Sequence, residues 1–161
     1  MMEVLHESKS GIRFVLKNGK PLVEYPEAAG IIAIEDEKLI MVRQFRNGCS
    51  CETLEIPAGK KDPSESLLQC AHRELYEETG YKAKGMKKLF SYYPAIGIST
   101  EKLTLFLAKD VYYVNEGNDP DKDISKVEKI SLSMLEKMLH KNEIIDSKTL
   151  LAVQYLLLNG F

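Results

Sequence analysis

The chain has 161 residues, 44% of them hydrophobic, enough to bury one compact core without disulfides or a structural metal, and a single domain over residues 1–161 is expected. Basic and acidic residues nearly cancel to a net charge of −2, which excludes any broad electrostatic attraction to nucleic acid or an anionic membrane and leaves small molecules as the expected partners. The first ten residues, MMEVLHESKS, carry no signal-peptide core and no apolar run approaches the roughly 20 residues that span a bilayer, so a cytoplasmic location is expected.

Residues 12–16 and 21–25 flank Asn18-Gly19, a pair that favours the left-handed backbone of a tight hairpin turn, so the chain is expected to open with strands. Residues 28–34 (AAGIIAI) and 39–45 (LIMVRQF), separated by EDEK, predict a second hairpin. Cys49, Cys51 and Cys70 are odd in number, and the first two are too close for a useful staple, so reduced thiols are expected; with His72 they match no common zinc spacing. A short strand at 53–56 meets Pro57, Asp62-Pro63-Ser64 supplies a turn and a cap, and a helix then runs to about Thr79 and ends at Gly80. Residues 83–93 and 103–114 read as strands joined by the loop 94–100, and 116–124 (EGNDPDKDI) as a solvated loop lacking the calcium-loop pattern. Two capped helices, 131–141 and 146–158, finish a mixed α/β sandwich whose helices cover a mixed sheet.

The chemistry concentrates in residues 59–81. Glu74, Glu77 and Glu78 share an arc of about 100° on a helix, with Leu68, Ala71 and Leu75 on an adjacent apolar arc that would seat the carboxylates at the rim of a cleft. Like charges so close raise one another's pKa unless a cation sits among them, and hard oxygen ligands suit Mg²⁺ or Mn²⁺ rather than zinc. A glutamate-rich helix is more often a solvated face, but Gly59, Gly80, Pro57, Arg73 and Glu65 all agree with a functional site.

The order glycine, five residues, Glu65, seven residues, Arg73-Glu74-Leu75, any residue, Glu77-Glu78, any residue, Gly80 and a hydrophobe resembles the Nudix box, with Tyr81 where the family usually has an aliphatic side chain. Beyond the box, Val42 to Arg46 (VRQFR), Leu54 to Gly59 (LEIPAG), Tyr93-Pro94 with Gly97 to Glu101, and Asp146 to Tyr155 are similar to the ADP-ribose pyrophosphatase branch, although that branch usually has Ser-Pro-Gly where this chain has Pro94-Ala95-Ile96-Gly97. The resemblance implies a Nudix-like α/β/α sandwich with a strand-loop-helix-loop catalytic motif. It also implies Mg²⁺-dependent hydrolysis of ADP-ribose, or a related nucleoside diphosphate sugar, to AMP and ribose 5-phosphate. Carried over residue by residue, it assigns metal ligation to Glu74, Glu77, Glu78 and the Ala58 carbonyl, with Gly59 allowing close backbone approach. Arg73 would hold a box glutamate in place and Glu65 would support the loop. Glu101 is the candidate general base, with a box glutamate as the competitor. Arg46 is a candidate for phosphate or ribose oxygens, Glu55 for sugar hydroxyls, and Gly97 for the substrate-binding loop. Other nucleoside diphosphate derivatives, a nucleoside triphosphate, and a non-catalytic ADP-ribose sensor remain open as alternatives. The family also suggests a homodimer through the N-terminal strands of residues 1–26, with Phe14 read as core packing and no aromatic assigned to the adenine.

Overall fold

The computed structural model describes residues 1–114 and 124–161; the polar loop read over 116–124 lies, apart from Ile124, outside the described residues. The Asn18-Gly19 turn forms as expected, with φ of 52° and 75°, and joins β2 (Arg13–Lys17) to β3 (Lys20–Glu24). A strand not expected from the sequence, β1 (Met2–Glu7), pairs with β2 to make a three-stranded antiparallel sheet. All six residues of β1 are exposed, so no alternation of apolar and polar residues marks it. Phe14 is 45% exposed, with its ring 6.2 Å from that of His6, whereas neighbouring Val15 is buried. Only one face of this small sheet is covered, and the expected core role of Phe14 falls to Val15.

The expected second hairpin divides between two sheets. Asp36 and Glu37, at φ 50° and 59°, turn β5 (Ile34–Glu35) into β6 (Lys38–Arg46), but β4 (Ala28–Ile32) pairs elsewhere. β4 lies antiparallel to β8 (Ala58–Lys60) and parallel to β10 (Leu103–Tyr113), which runs antiparallel to β9 (Tyr81–Tyr92). β6 pairs antiparallel with β7 (Cys51–Glu55) and with β11 (Ile124–Ser131). Strand β11 occupies a stretch to which the sequence assigned no element. Its apolar residues recur every three positions, and its register slips between Ile124 and Lys126, so the two-residue period of a strand is absent.

Alternation along the strands builds a core on each face. Ala28 and Ile32 of β4, with Leu103 and Leu105 of β10, pack under α2 (Leu132–His140) and α3 (Ser147–Leu158) through Leu135, Ala152, Val153 and Leu156. Ala29, Ile31, Phe106 and Ala108 pack on the other side against Cys70, Ala71 and Leu75 of α1 (Leu67–Thr79). The result is the α/β/α sandwich with a mixed sheet that the sequence implied. Leu68, expected in the apolar stripe of α1, is instead exposed. The buried residues of α1 are Cys70, Ala71, Glu74, Leu75, Glu78 and Thr79; Leu68 shares the Leu75 side of the helix but lies in its first turn, ahead of the first buried residue, Cys70.

The start of α1 also differs from expectation. Ser66, not the Asp62-Pro63-Ser64 turn, is the N-cap: its hydroxyl accepts from the Gln69 N–H at 3.2 Å, and its own N–H donates to Gln69 Oε1 at 2.8 Å. Gly80 closes the helix as expected, at φ 75°, donating to the Tyr76 carbonyl. Ser66→Ala should therefore cost about 1 kcal/mol in urea unfolding. Ser64→Ala, at an exposed turn position, should stay within about 0.5 kcal/mol of wild type.

Candidate active site

Past Pro57 the backbone of β8 runs against the acidic face of α1. The Ala58 N–H donates to Glu78 Oε2 at 3.0 Å. A Cβ on Gly59 would stand 2.0 Å from Glu74 Oε1, so glycine is the residue that leaves this carboxylate its place. Glu74 and Glu78, one turn apart, are both buried. Glu77 is not: its side chain is 51% exposed and is held by Arg73 Nη1 at 2.9 Å. The three glutamates expected as one patch thus separate into a buried pair and a surface member. Among the described residues no three His, Cys, Asp or Glu side chains are grouped so as to hold a metal ion. Arg73 Nη1 bridges Glu77 to Glu74, so the carboxylate of Glu77 is engaged at the surface by the ion pair four residues back along the helix.

Arg73 is the hub of this wall. Its Nη1 also donates to Glu74 Oε1 at 2.8 Å, its Nη2 to Glu65 Oε1 at 2.6 Å and to the Lys60 carbonyl at 3.0 Å, and its Nε to Glu65 Oε2 at 3.2 Å. That fork holds the Glu65 carboxyl down at about 2, and Glu65 in turn accepts from the Asp62 N–H, tying the loop to the helix. Burial acts oppositely on the inner pair. It raises Glu74 despite Arg73, and it pushes Glu78 up to about 8, with the charge of Glu74 adding to the effect. Lys148 and Arg46 favour ionised Glu78 but do not overcome its burial. Two desolvated carboxyls beside a glycine cradle, short of positive charge, are a donor set that fits a hard divalent cation.

The facing wall comes from β6, β7 and the start of α3. Arg46 at the end of β6 grips Glu55 of β7 with Nε to Oε1 at 2.7 Å and Nη2 to Oε2 at 2.6 Å. Lys148 also donates to Glu55 Oε2, and the Thr53 hydroxyl donates to Oε1 at 2.6 Å. Glu55 is only 2% exposed; burial would raise its pKa, but the hydrogen bond from Arg46 and the charge and hydrogen bond of Lys148 override it and take the carboxyl to about 2. Asp146 caps α3 by accepting from the Thr149 N–H at 3.0 Å and hydroxyl at 2.6 Å, and it also accepts from Lys148 Nζ at 3.1 Å. The Thr149 hydroxyl in turn accepts from the Ile56 N–H at 2.9 Å, pinning α3 to the chain that leads into β8.

A cleft of about 710 Å³ separates the walls, within the range of small-ligand sites. Glu74, Glu78, Ala58 and Gly59 line one side, and Arg46, Glu55, Lys148 and Glu101 the other; Tyr25 and Tyr92 also line it. Glu101 has its pKa raised by burial and by Asp146, against the pull of Lys148 and Arg46. Of the sequence-derived candidates, Ala58, Glu74, Glu78, Arg46, Glu55 and Glu101 meet at this cleft. Arg73 stands behind it and Glu77 outside it. Gly97 lines a separate hollow beside the β2–β3 hairpin and does not meet the others. Lys148 was missed by the sequence reading, although a lysine in the first turn of a helix opposes the helix dipole and so hints at a local acidic partner.

Because the folded-state pKa of Glu55 lies below its usual 4.5, its contribution to stability is complete above about 4.5 and is lost as the pH falls through about 2. Glu55→Gln leaves Arg46 and Lys148 without their shared carboxylate. Urea unfolding should show a loss of about 3 kcal/mol at pH 7 and a smaller gap from wild type at pH 3.

A family model for the NUDIX domain matches residues 24–152. The chain is 38% identical over 147 residues to an ADP-ribose pyrophosphatase of Bacillus subtilis (strain 168), covering 88% of this chain and 80% of that protein. It is 37% identical over 140 residues to a methanol dehydrogenase activator of Bacillus methanolicus, covering 85% and 75%. Among solved structures, an ADP compounds hydrolase superposes with a TM-score of 0.75 at 24% identity, covering 99% of this chain and 94% of that one, which shows a shared fold. With the family's motif on α1, its domain across most of the length and its sandwich in three dimensions, the chain belongs to the NUDIX family.

Proposed function

We propose that this chain is a pyrophosphohydrolase that cleaves ADP-ribose, or a closely related nucleoside diphosphate sugar, to AMP and ribose 5-phosphate. The observation that carries the reading is the opposition, across one cleft, of the desolvated pair Glu74 and Glu78 to the cations Arg46 and Lys148. A diphosphate placed between them meets cationic donors on one side and oxygen ligands on the other. The 38% identical ADP-ribose pyrophosphatase supports the choice of substrate.

Glu74, Glu78 and the Ala58 carbonyl would hold Mg²⁺ or Mn²⁺, which would supply charge for the phosphoryl oxygens and lower the pKa of the attacking water; Glu77 would join them as a ligand only by leaving its surface ion pair with Arg73. Arg73 positions Glu74 and anchors the loop through Glu65. Arg46 uses Nε and Nη2 on Glu55, and its Nη1 takes part in no hydrogen bond among the described residues, so it points to a substrate oxygen as its partner. Both oxygens of Glu55 are engaged, so it acts by aiming Arg46 and Lys148 rather than by touching sugar hydroxyls. Glu101, whose burial keeps its basicity above that of an ordinary carboxylate, accepts the proton of the attacking water.

Glu78→Gln should fold and lose about 10²-fold or more in rate. Glu101→Gln should lose more than about tenfold; a smaller loss moves the base to a glutamate of α1. A panel of nucleoside diphosphate sugars assayed with Mg²⁺ should give AMP and ribose 5-phosphate from ADP-ribose, and an absence of turnover across the panel would sink the reading. The N-terminal strands, residues 1–26, are proposed as the dimerisation element, since Met2, Val4, Leu5 and Phe14 leave apolar surface exposed there. Sedimentation equilibrium should give twice the 18.2 kDa of one chain, and a single-chain mass would remove the dimer.

A further inference from the structure

The turn between β6 and β7 brings together two thiols that the mechanism does not use. In an extended strand, residues two apart are separated by roughly 6.6 Å along the chain. Here Ser50 takes φ 52°, the turn folds back, and the Sγ atoms of Cys49 and Cys51 lie 3.2 Å apart, with the Cys51 thiol donating to the Cys49 sulfur. Covalent closure needs only a further movement of roughly 1.2 Å. Cys49 is exposed and lines the cleft, and its Sγ lies 3.5 Å from the Arg46 carbonyl. Cys51 stands opposite Arg46 in the β6–β7 ladder. The remaining thiol, Cys70, is buried against the Gly59 carbonyl and pushed up to about 12 by that burial, so it takes no part.

We propose that Cys49 and Cys51 form a modification site at the rim of the cleft, converted by a hydroperoxide into an intramolecular disulfide that loosens the hold of Arg46 on substrate. Cys49 is the attacking sulfur, because it is the exposed one and accepts the hydrogen bond of its neighbour. Its thiol first gives up a proton to solvent; the thiolate then attacks the terminal peroxide oxygen, breaking the O–O bond and giving a sulfenic acid, and the departing alkoxide or hydroxide takes up a proton to leave as alcohol or water. The Cys51 thiolate then attacks that sulfur and breaks its S–O bond, and the departing hydroxide takes up a proton as water. Both sulfurs are oxidised and the hydroperoxide is reduced. Closure draws Cys49 toward Cys51 and away from the Arg46 carbonyl, disturbing the backbone that aims the guanidinium. The effect on turnover rests on the hydrolase reading above; the thiol chemistry does not.

The test is exposure of the whole reduced protein to hydrogen peroxide, followed by thiol titration after unfolding and peptide mapping. The thiol count should fall from the three in the sequence to one, with a mass lower by two hydrogens and a Cys49–Cys51 link within one chain that dithiothreitol reverses. Cys49→Ser and Cys51→Ser should each abolish the link. A count that stays at three, a gain of oxygen without a link, a bond between chains, or a link that survives in either variant overturns the proposal. In the oxidised enzyme KM should rise about threefold or more with kcat within about twofold. An unchanged KM overturns the coupling to Arg46, whereas a reduced enzyme with no turnover overturns the hydrolase reading and leaves the thiol result standing.

Discussion

Helix α1 packs against the sheet through the same face that carries Glu74 and Glu78, and the rest of the cleft is arranged around that placement. Two apolar side chains there would pack with no desolvation cost, whereas buried carboxyls are costly unless they are paired and hydrogen-bonded. The helix is held down by Cys70, Ala71 and Leu75 on either side of the acids. The Ala58 N–H and the Arg73 fork then satisfy part of what burial removes. What is left over, in the raised pKa values of both carboxyls, is the capacity of this wall to take positive charge from a ligand.

The facing wall solves the converse problem of keeping two cations beside the cleft. Lys148 sits in the first turn of α3, where the helix dipole disfavours it, and Asp146 and Glu55 reverse that preference. Glu55 can serve both Arg46 and Lys148 because the Thr53 hydroxyl fixes its remaining direction. A third segment closes the rim. The N–H of Val23 donates to the Ile98 carbonyl, that of Thr100 to the Val23 carbonyl, and that of Tyr25 to the Thr100 hydroxyl. The N-terminal sheet thereby fixes the loop that delivers Glu101 to the cleft.

Tyr81 shows how a departure from a family pattern is absorbed locally. Its ring packs edge-on against Tyr113 at 5.2 Å, and its hydroxyl donates to Glu35 at 2.8 Å, which Lys129 also engages. The phenol therefore supplies the apolar body expected at this position and a tether from the end of α1 to the β5–β6 turn.

Much of the fold was legible because it follows from short-range rules. The Asn18-Gly19 turn, the end of α1 at Gly80 and the caps of the last two helices at Ser131 and Asp146 each need only residues within one turn of the chain. The spacing within α1 likewise placed Glu74 and Glu78 on one face, and the order of fixed residues carried the family. Tertiary structure alone decided that β4 leaves its neighbour β5 for β10, that β1 and β11 are strands, and that Gly97 opens on a different hollow from Glu101. It also separated Glu77 from its two companions and brought Lys148 from 93 residues away onto Glu55. Local sequence determines which backbone conformations and helix faces are cheap. Which of those faces is buried, and which charges must then find each other, depends on contacts between distant segments that no local spacing encodes.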